Sequence, residues 1–474
     1  MTEIIPKIQI LTAEQIDQVH QYALDILEKT GIRVDDENAR LLLQKAGGQV
    51  IKDHLISFPK ELVNWAIDIA PSQIDIFNQS GEPAFQLNSI SDTDTIFGLG
   101  VTNLYYHEPL DDSVHPFQRE HVSKIARLCN QLDAFDLIST PGAIKDLPKE
   151  TADLYVALEM TANTQKAQLL LVSDPTIFKQ VLNLYEHLHG DLSKQPFIIP
   201  YFNPITPLVL NEETTTKMGQ SVNRGLPLIF SNYGMSGATS PVTPAGTLAL
   251  LTAELLAGLV YCQLLKEKTP VILGSLPSVF NMKTMGSLLA PQTMLLNLAC
   301  AEMMAHYQIP HCGTSGSGSG WGADLAGSGG LWMNHLTSCI GKVGIAPFVG
   351  GNFDSLAFSP TTVVYANEII RQSRQFAHGF TMDDNTLGLD EITGIGPGGN
   401  FLAAKTTLKQ CRDFSQLSEI WPLYSVENWL AAGSPKAEEV LRDKTLEIMK
   451  TREPSEDHDE LITKGEAFIS RIST

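Results

Sequence analysis

Residues 308–335 read Gln-Ile-Pro-His-Cys-Gly-Thr-Ser-Gly-Ser-Gly-Ser-Gly-Trp-Gly-Ala-Asp-Leu-Ala-Gly-Ser-Gly-Gly-Leu-Trp-Met-Asn-His. Ile309–Cys312 has the look of a short buried strand. A loop follows with glycine at 313, 316, 318, 320 and 322, and then a helix carrying Trp332 and His335. Glycine lets backbone amides approach a ligand closely, and successive amides in such a loop can form an anion-binding concavity. A plain surface loop is the other reading. Trp321 and Trp332 weigh against it, because bare tryptophans are costly in water. The stretch matches neither the phosphate loop GxxxxGK[ST] nor a GxGxxG that follows a strand and opens a helix.

The same strand-then-helix order extends outward in both directions. Strands are expected at 135–140, 168–173, 197–202, 227–231, 270–274, 309–312 and 344–349. Helices are expected between them, at 150–164, 176–188, 212–223, 244–266, 291–306 and 324–341, with 360–378 after the last strand. Short apolar strands separated by helices indicate a parallel sheet covered on both faces. An eighth strand, or a hairpin, is expected within Thr95–His107. Eight such units close a (β/α)8 or TIM barrel, whose typical size of roughly 250 residues fits this span. The fold class is therefore α/β, with an open doubly wound sheet as the alternative; that sheet would need a switch-point fingerprint, which we do not find.

Residues 1–94 read as a mainly helical N-terminal extension, and 95–474 as the barrel with C-terminal helices. Thr12 and Gln15 form a capping-box pattern, and Gly31 a helix stop. Two further helices are expected over 36–46 and 60–70, with short strands around Ile74–Ile76 and Phe85–Leu87. A cap or oligomerisation element is the natural role for this part.

The chain has 474 residues, with 33 Lys and Arg against 53 Asp and Glu, for a net charge of -20. An acidic chain with no basic cluster argues against nucleic acid and anionic membranes as partners. Its six cysteines are scattered and no CxxC pair occurs. With no leader-like N-terminus, this reads as a reduced, cytoplasmic protein. No run of 18 apolar residues appears, and Leu248–Leu264, interrupted by Glu254, reads as a buried helix.

In a barrel, chemistry sits at the C-terminal ends of the strands. Tyr106, Phe202, Phe230, Tyr233, His311, Asn352 and Phe353 fall there, and Trp321 and Trp332 follow nearby. This rim is rich in aromatics and amides and poor in acids and bases. Paired carboxylates for hydrolysis, a GxSxG elbow and zinc-ligand clusters are not evident, so no intrinsic metal is expected. An aromatic, weakly charged pocket suits a quaternary ammonium ion, which cannot donate hydrogen bonds and is held over ring faces. Trp321 is the leading choice for this box. Trp321→Ala is expected to lower turnover at least tenfold, about 1.4 kcal/mol.

Three segments resemble the trimethylamine methyltransferase family of corrinoid-dependent enzymes. They are Asn203-Pro204-Ile205-Thr206-Pro207-Leu208, Met235–Ser275 with Ser240-Pro241-Val242-Thr243-Pro244-Ala245-Gly246 inside it, and Gly394-Ile395-Gly396-Pro397-Gly398-Gly399-Asn400-Phe401-Leu402. The resemblance spans about residues 10–450. It implies a TIM barrel that passes a substrate methyl group to the Co(I) of a corrinoid (cobalamin) carried on a cognate partner protein. Trimethylamine enzymes of this family carry pyrrolysine near the mouth, and this chain has none; the glycine loop is the plausible region of replacement. Pyrrolysine-lacking members include glycine betaine methyltransferases, so glycine betaine is the expected substrate, with proline betaine, carnitine or trimethylamine as alternatives. Such chemistry needs no general acid, since the tertiary amine leaves neutral. For betaine, the amides of residues 314–320, His311 and Asn352 are the candidate carboxylate donors. A non-catalytic quaternary-amine binder and an unrelated barrel lyase are the other readings. A homo-oligomer is expected.

Overall fold

The computed structural model describes residues 2–88, 94–314, 318, 320–414, 418–451 and 453–472. Eight parallel strands close a barrel: β1 Ile96–Leu99, β2 Leu137–Ser139, β3 Ala167–Leu170, β4 Ile198–Phe202, β5 Leu228–Ser236, β6 Val271–Asn281, β7 His311–Cys312 and β8 Ile345–Val349. Each pairs with its sequence neighbour, and β8 returns to β1 through Ile345 opposite Ile96. The longest pairing runs from Leu228 opposite Val271 to Ser236 opposite Val279. Its far end rises above the barrel, and β6 continues into a hairpin with Gly286–Leu288.

One helix follows each strand: α1 Arg119–Gln131, α2 Lys149–Asn163, α3 Pro175–His189, α4 Glu212–Asn223, α5 Pro244–Leu265, α6 Pro291–His306, α7 Leu325–Ile340 and α8 Pro360–His378. Local chemistry sets several of their starts. Asp174 caps α3 ahead of Pro175, and Asp324 caps α7 by accepting from the Gly327 N–H at 2.7 Å. Helix α5 is long and apolar enough to cross a membrane, but it is buried inside the protein. It lies between β5 and two helices of the N-terminal part, Ala13–Asp25 and Lys60–Ile69. Tyr105–His107 forms a hairpin with Val114–Pro116 beyond β1, so Thr95–His107 supplies both the first strand and a hairpin arm.

The interior of the barrel is filled from alternate positions, including Ile96, Leu137, Leu169, Ile199, Ile229 and Ile345. The antiparallel pair Gln73–Phe77 and Pro83–Asn88 adds Ile74, Ile76 and Leu87 to the same cluster. Phe77 and Gln79 donate to the carbonyls of Pro196 and Gln165, which precede β4 and β3. This hairpin therefore plugs the N-terminal end of the barrel and leaves the C-terminal end as the open face. The helices of residues 13–69 share one continuous apolar core with the outer helix layer. Glu302 of α6 docks the leading segment by accepting from the N–H groups of Ile10 at 2.6 Å and Leu11 at 2.7 Å. Helices Ala437–Thr451 and His458–Ile472 close the opposite flank, against α8 and α1, and against α2 and α3.

Burial holds two histidines neutral. His311 on β7 and His335 on α7 both have their pKa lowered from 6.5 to about 3 by desolvation. Neither ring nitrogen of His311 has a hydrogen-bond partner among the described residues. The unfolded chain binds protons at these sites near pH 6.5, and the fold does not until about pH 3. Stability from this source is full above pH 6.5 and falls as pH drops, by about 1.4 kcal/mol per pH unit for each histidine. Urea unfolding at pH 7 and pH 5 should show a loss, and His311→Leu should shrink that loss by about 2 kcal/mol. An unchanged loss in the variant would count against buried neutral His311.

Candidate active site

A cavity of about 330 Å³ opens at the C-terminal end of the barrel. Strand alternation decides what faces it. On β4 the inward positions are Ile199 and Tyr201, continuing to Asn203; on β5 they are Ile229 and Tyr233. Leu276 and Ser278 come from β6, Thr314 follows β7, and Phe348 comes from β8. Asp354 and Ser355 close the rim from the loop after β8, and Ser287 faces them from the β6 hairpin.

Three aromatic rings stand in this cavity. Tyr201 and Phe348 meet edge to face, with centroids 5.2 Å apart, and Tyr233 stands at the opening, 39% exposed. Burial pushes the Tyr201 phenol up, so it stays protonated at any ordinary pH. Ser231 and Asn203 lie beside that hydroxyl without being aligned for a hydrogen bond to it. Among the described residues, the buried hydroxyls of Ser231 and Ser278 also have no hydrogen-bond partner. Such groups cost free energy until something polar meets them. Cys312 shares the barrel interior, but burial pushes its thiol up and denies it thiolate character.

The turn that presents Asp354 is strained. Phe353, Asp354 and Ser355 have φ of 51°, 56° and 69° in succession. Left-handed residues other than glycine cost roughly 1–2 kcal/mol each, and such strain persists only where the surroundings impose it. Here the glycine loop imposes it: Phe353 donates to the Gly320 carbonyl at 2.9 Å and Asp354 to that of Gly318 at 3.1 Å. The Asp354 carboxylate in turn accepts from the Ser287 hydroxyl.

Of the side chains expected at the mouth, Tyr233 lines the cavity. Phe202 and Phe230 face the other way. Phe202 packs on Phe178 of α3, and Phe230 lies so close to Gly258 of α5 that a Cβ there would come within 2.1 Å of the ring. His311 precedes the inward Cys312 and so turns to the helix side. Asn352 is spent on Thr362 of α8, at 2.8 Å. Tyr106 is buried and stacked on His121 with centroids 4.1 Å apart. Trp332 lines a groove between α7 and α8 with Tyr365 and Trp421. Trp321 and Phe353 do come together, but on the rim outside the cavity, where Trp321 is 71% exposed. Of the loop amides proposed as anion donors, residues 315–317 and 319 lie outside the described residues. Tyr201 and Asp354 are legible in the sequence as strand-end positions, whereas Phe348, inside the strand expected at 344–349, gives no local sign that it faces the cavity.

A family model described as trimethylamine methyltransferase (MTTB) matches residues 1–473. The chain belongs to the trimethylamine methyltransferase family. It is 26% identical to trimethylamine methyltransferase MttB of Desulfitobacterium hafniense (strain DSM 10664 / DCB-2), over 93% of this chain and 89% of that one. It is 25% identical to the MttB of Methanosarcina barkeri (strain Fusaro / DSM 804), over 98% and 95%. It is also 25% identical to glycine betaine methyltransferase of Desulfitobacterium hafniense (strain Y51), over 86% of each chain. In fold it resembles the monomethylamine methyltransferase (MtmB) of Methanosarcina barkeri, with a TM-score of 0.53 at 9% identity and 92% of each chain covered.

The family segments at 203–208 and 235–275 meet on one buried acid, Glu254 of α5. Its carboxyl accepts from the Leu208 N–H at 2.6 Å and from Thr206 Oγ1 and Asn232 Nδ2 at 2.9 Å each. Asn232 Oδ1 passes the link to Ser275 on β6 at 2.7 Å. Burial pushes the Glu254 carboxyl up, while these donors pull it down. The network fixes the loop after β4 against β5, and hence the places of Asn203 and Tyr233. Glu254→Ala would strand three donors and should cost about 3–5 kcal/mol. Glu254→Gln keeps an acceptor and should cost about 1–2 kcal/mol. Thermal unfolding of the two variants should rank them so; an alanine variant as stable as the parent would refute this role.

Proposed function

We propose that the protein moves a methyl group from a quaternary amine to the Co(I) of a corrinoid carried on a separate protein. The observation that carries this reading is the ring set Tyr201, Tyr233 and Phe348 in a small cavity with no cationic side chain among its lining residues. A quaternary nitrogen gains about 0.5–2 kcal/mol from each well-placed ring. Glycine betaine is the substrate the sequence favours, and a relative of that name supports the amine class. A carboxylate on the amine would have to be met by neutral donors here, namely Tyr201, Ser278 and Thr314.

The lining residues bind and orient the amine and exclude water from it. Tyr201 remains neutral and moves no proton, which suits a leaving tertiary amine that needs none. The cavity holds no activated nucleophile among its described side chains, since the Cys312 thiol is held protonated. When bound, the corrinoid supplies a cobalt nucleophile of far greater strength than any side chain. The C-terminal face offers apolar surface to a docking protein: Trp321 and Leu325 share a groove beyond β7, and Val242, Met282 and Met285 lie on the segments after β5 and β6, all 71–95% exposed. Large apolar groups exposed on one face mark interaction surfaces.

Incubation with reduced cobalamin and quaternary amines should give demethylated product together with the loss of the Co(I) spectrum. Amine-dependent product without any corrinoid would overturn the reading. Two substitutions separate the two surfaces. Tyr233→Ala should weaken amine binding about tenfold, ~1.4 kcal/mol, and leave the KM for the corrinoid protein unchanged. Trp321→Ala should raise that KM several-fold and leave amine affinity unchanged. The opposite pattern would mean that the box lies on the glycine loop.

A further inference from the structure

The cavity lining carries few charges. Asp354 is the only lining side chain, among the described residues, that bears a full charge; no lysine, arginine or histidine lines the cavity. Residues 315–317 and 319, which follow the lining Thr314, are Ser, Gly, Ser and Ser, so their side chains bring no charge either. The described side-chain partner of Asp354 is a neutral hydroxyl, Ser287. Two buried hydroxyls, those of Ser278 in the cavity lining and of Ser231 on β5, have no hydrogen-bond partner among the described residues, and both are neutral.

A ligand that fits this inventory has one positive charge, to face the rings and Asp354, and a neutral polar arm to meet the hydroxyls. A betaine brings a second carboxylate into a cavity of about 330 Å³ that already holds one. Among the described residues no protein cation balances it there, and like charges at close range repel. The left-handed backbone at 353–355 carries this carboxylate at the rim.

We propose that Asp354 is a specificity-determining residue that selects monocationic methylated amines, trimethylammonium alcohols above all, over zwitterionic betaines. This rests on the cavity being the amine site and narrows the substrate away from the betaine that the sequence favours.

Calorimetric titration of the purified protein with tetramethylammonium, choline and glycine betaine tests it without any corrinoid. Choline should bind at least tenfold more tightly than glycine betaine. Asp354→Asn, which keeps shape and hydrogen bonding, should reduce that ratio at least fivefold, and Asp354→Glu should retain more of it. Equal or tighter binding of glycine betaine by the parent would overturn the inference, and so would an unchanged ratio in a folded Asp354→Asn protein. Should that variant fail to fold, the parent's ratio still decides. Binding of tetramethylammonium with no preference for choline would sink this inference alone. Binding of none of the three would sink the amine-site reading with it.

Discussion

Side chains alternate across a strand, and in a closed barrel that alternation assigns each strand residue either to the interior or to the helix layer. Everything at this mouth follows from that assignment. Tyr201 enters the cavity while its neighbour Phe202 packs on α3. Tyr233 enters while Phe230, three positions earlier, fills the gap left by Gly258. A shift of one residue on β4 or β5 would exchange a ring in the cavity for a ring beside a helix. Parity is held from outside the barrel, by Glu254 gripping the β4 loop and Asn232 together.

The floor and the rim depend on the same closure. A hairpin from the N-terminal part packs into one end, and the 330 Å³ cavity opens at the other. At the rim, the glycine loop does its work through backbone carbonyls. Gly318 and Gly320 hold the left-handed turn that carries Asp354. That loop is thus a support for the site, with Trp321 turned out to the surface.

The order of elements was legible in the sequence because apolar strands and capped helices repeat at regular spacing. Helices expected at 212–223, 291–306 and 360–378 occur with those bounds. The facing of the strand residues was not legible. Phe197-Ile198-Ile199-Pro200-Tyr201-Phe202 is apolar at both parities, as expected for a strand buried on both faces. Nothing local distinguishes Tyr201 from Phe202, and the rule that decides between them is set by neighbouring strands and by Gly258. Asp354 was visible at a strand end, but its presentation depends on three successive positive φ values imposed by a loop some 35 residues earlier in the chain. The barrel floor escaped notice for a similar reason. Ile74, Ile76 and Leu87 read as a minor hairpin until the barrel is closed around them.

The central claim is that Tyr201, Tyr233 and Phe348 hold a quaternary ammonium ion at the barrel mouth. A crystal structure of the protein soaked with tetramethylammonium tests it directly. The cation should lie with its nitrogen within about 6 Å of the centroids of at least two of these rings. A cation bound instead beside Trp321 on the rim, or none in the cavity at saturating concentration, would contradict the account.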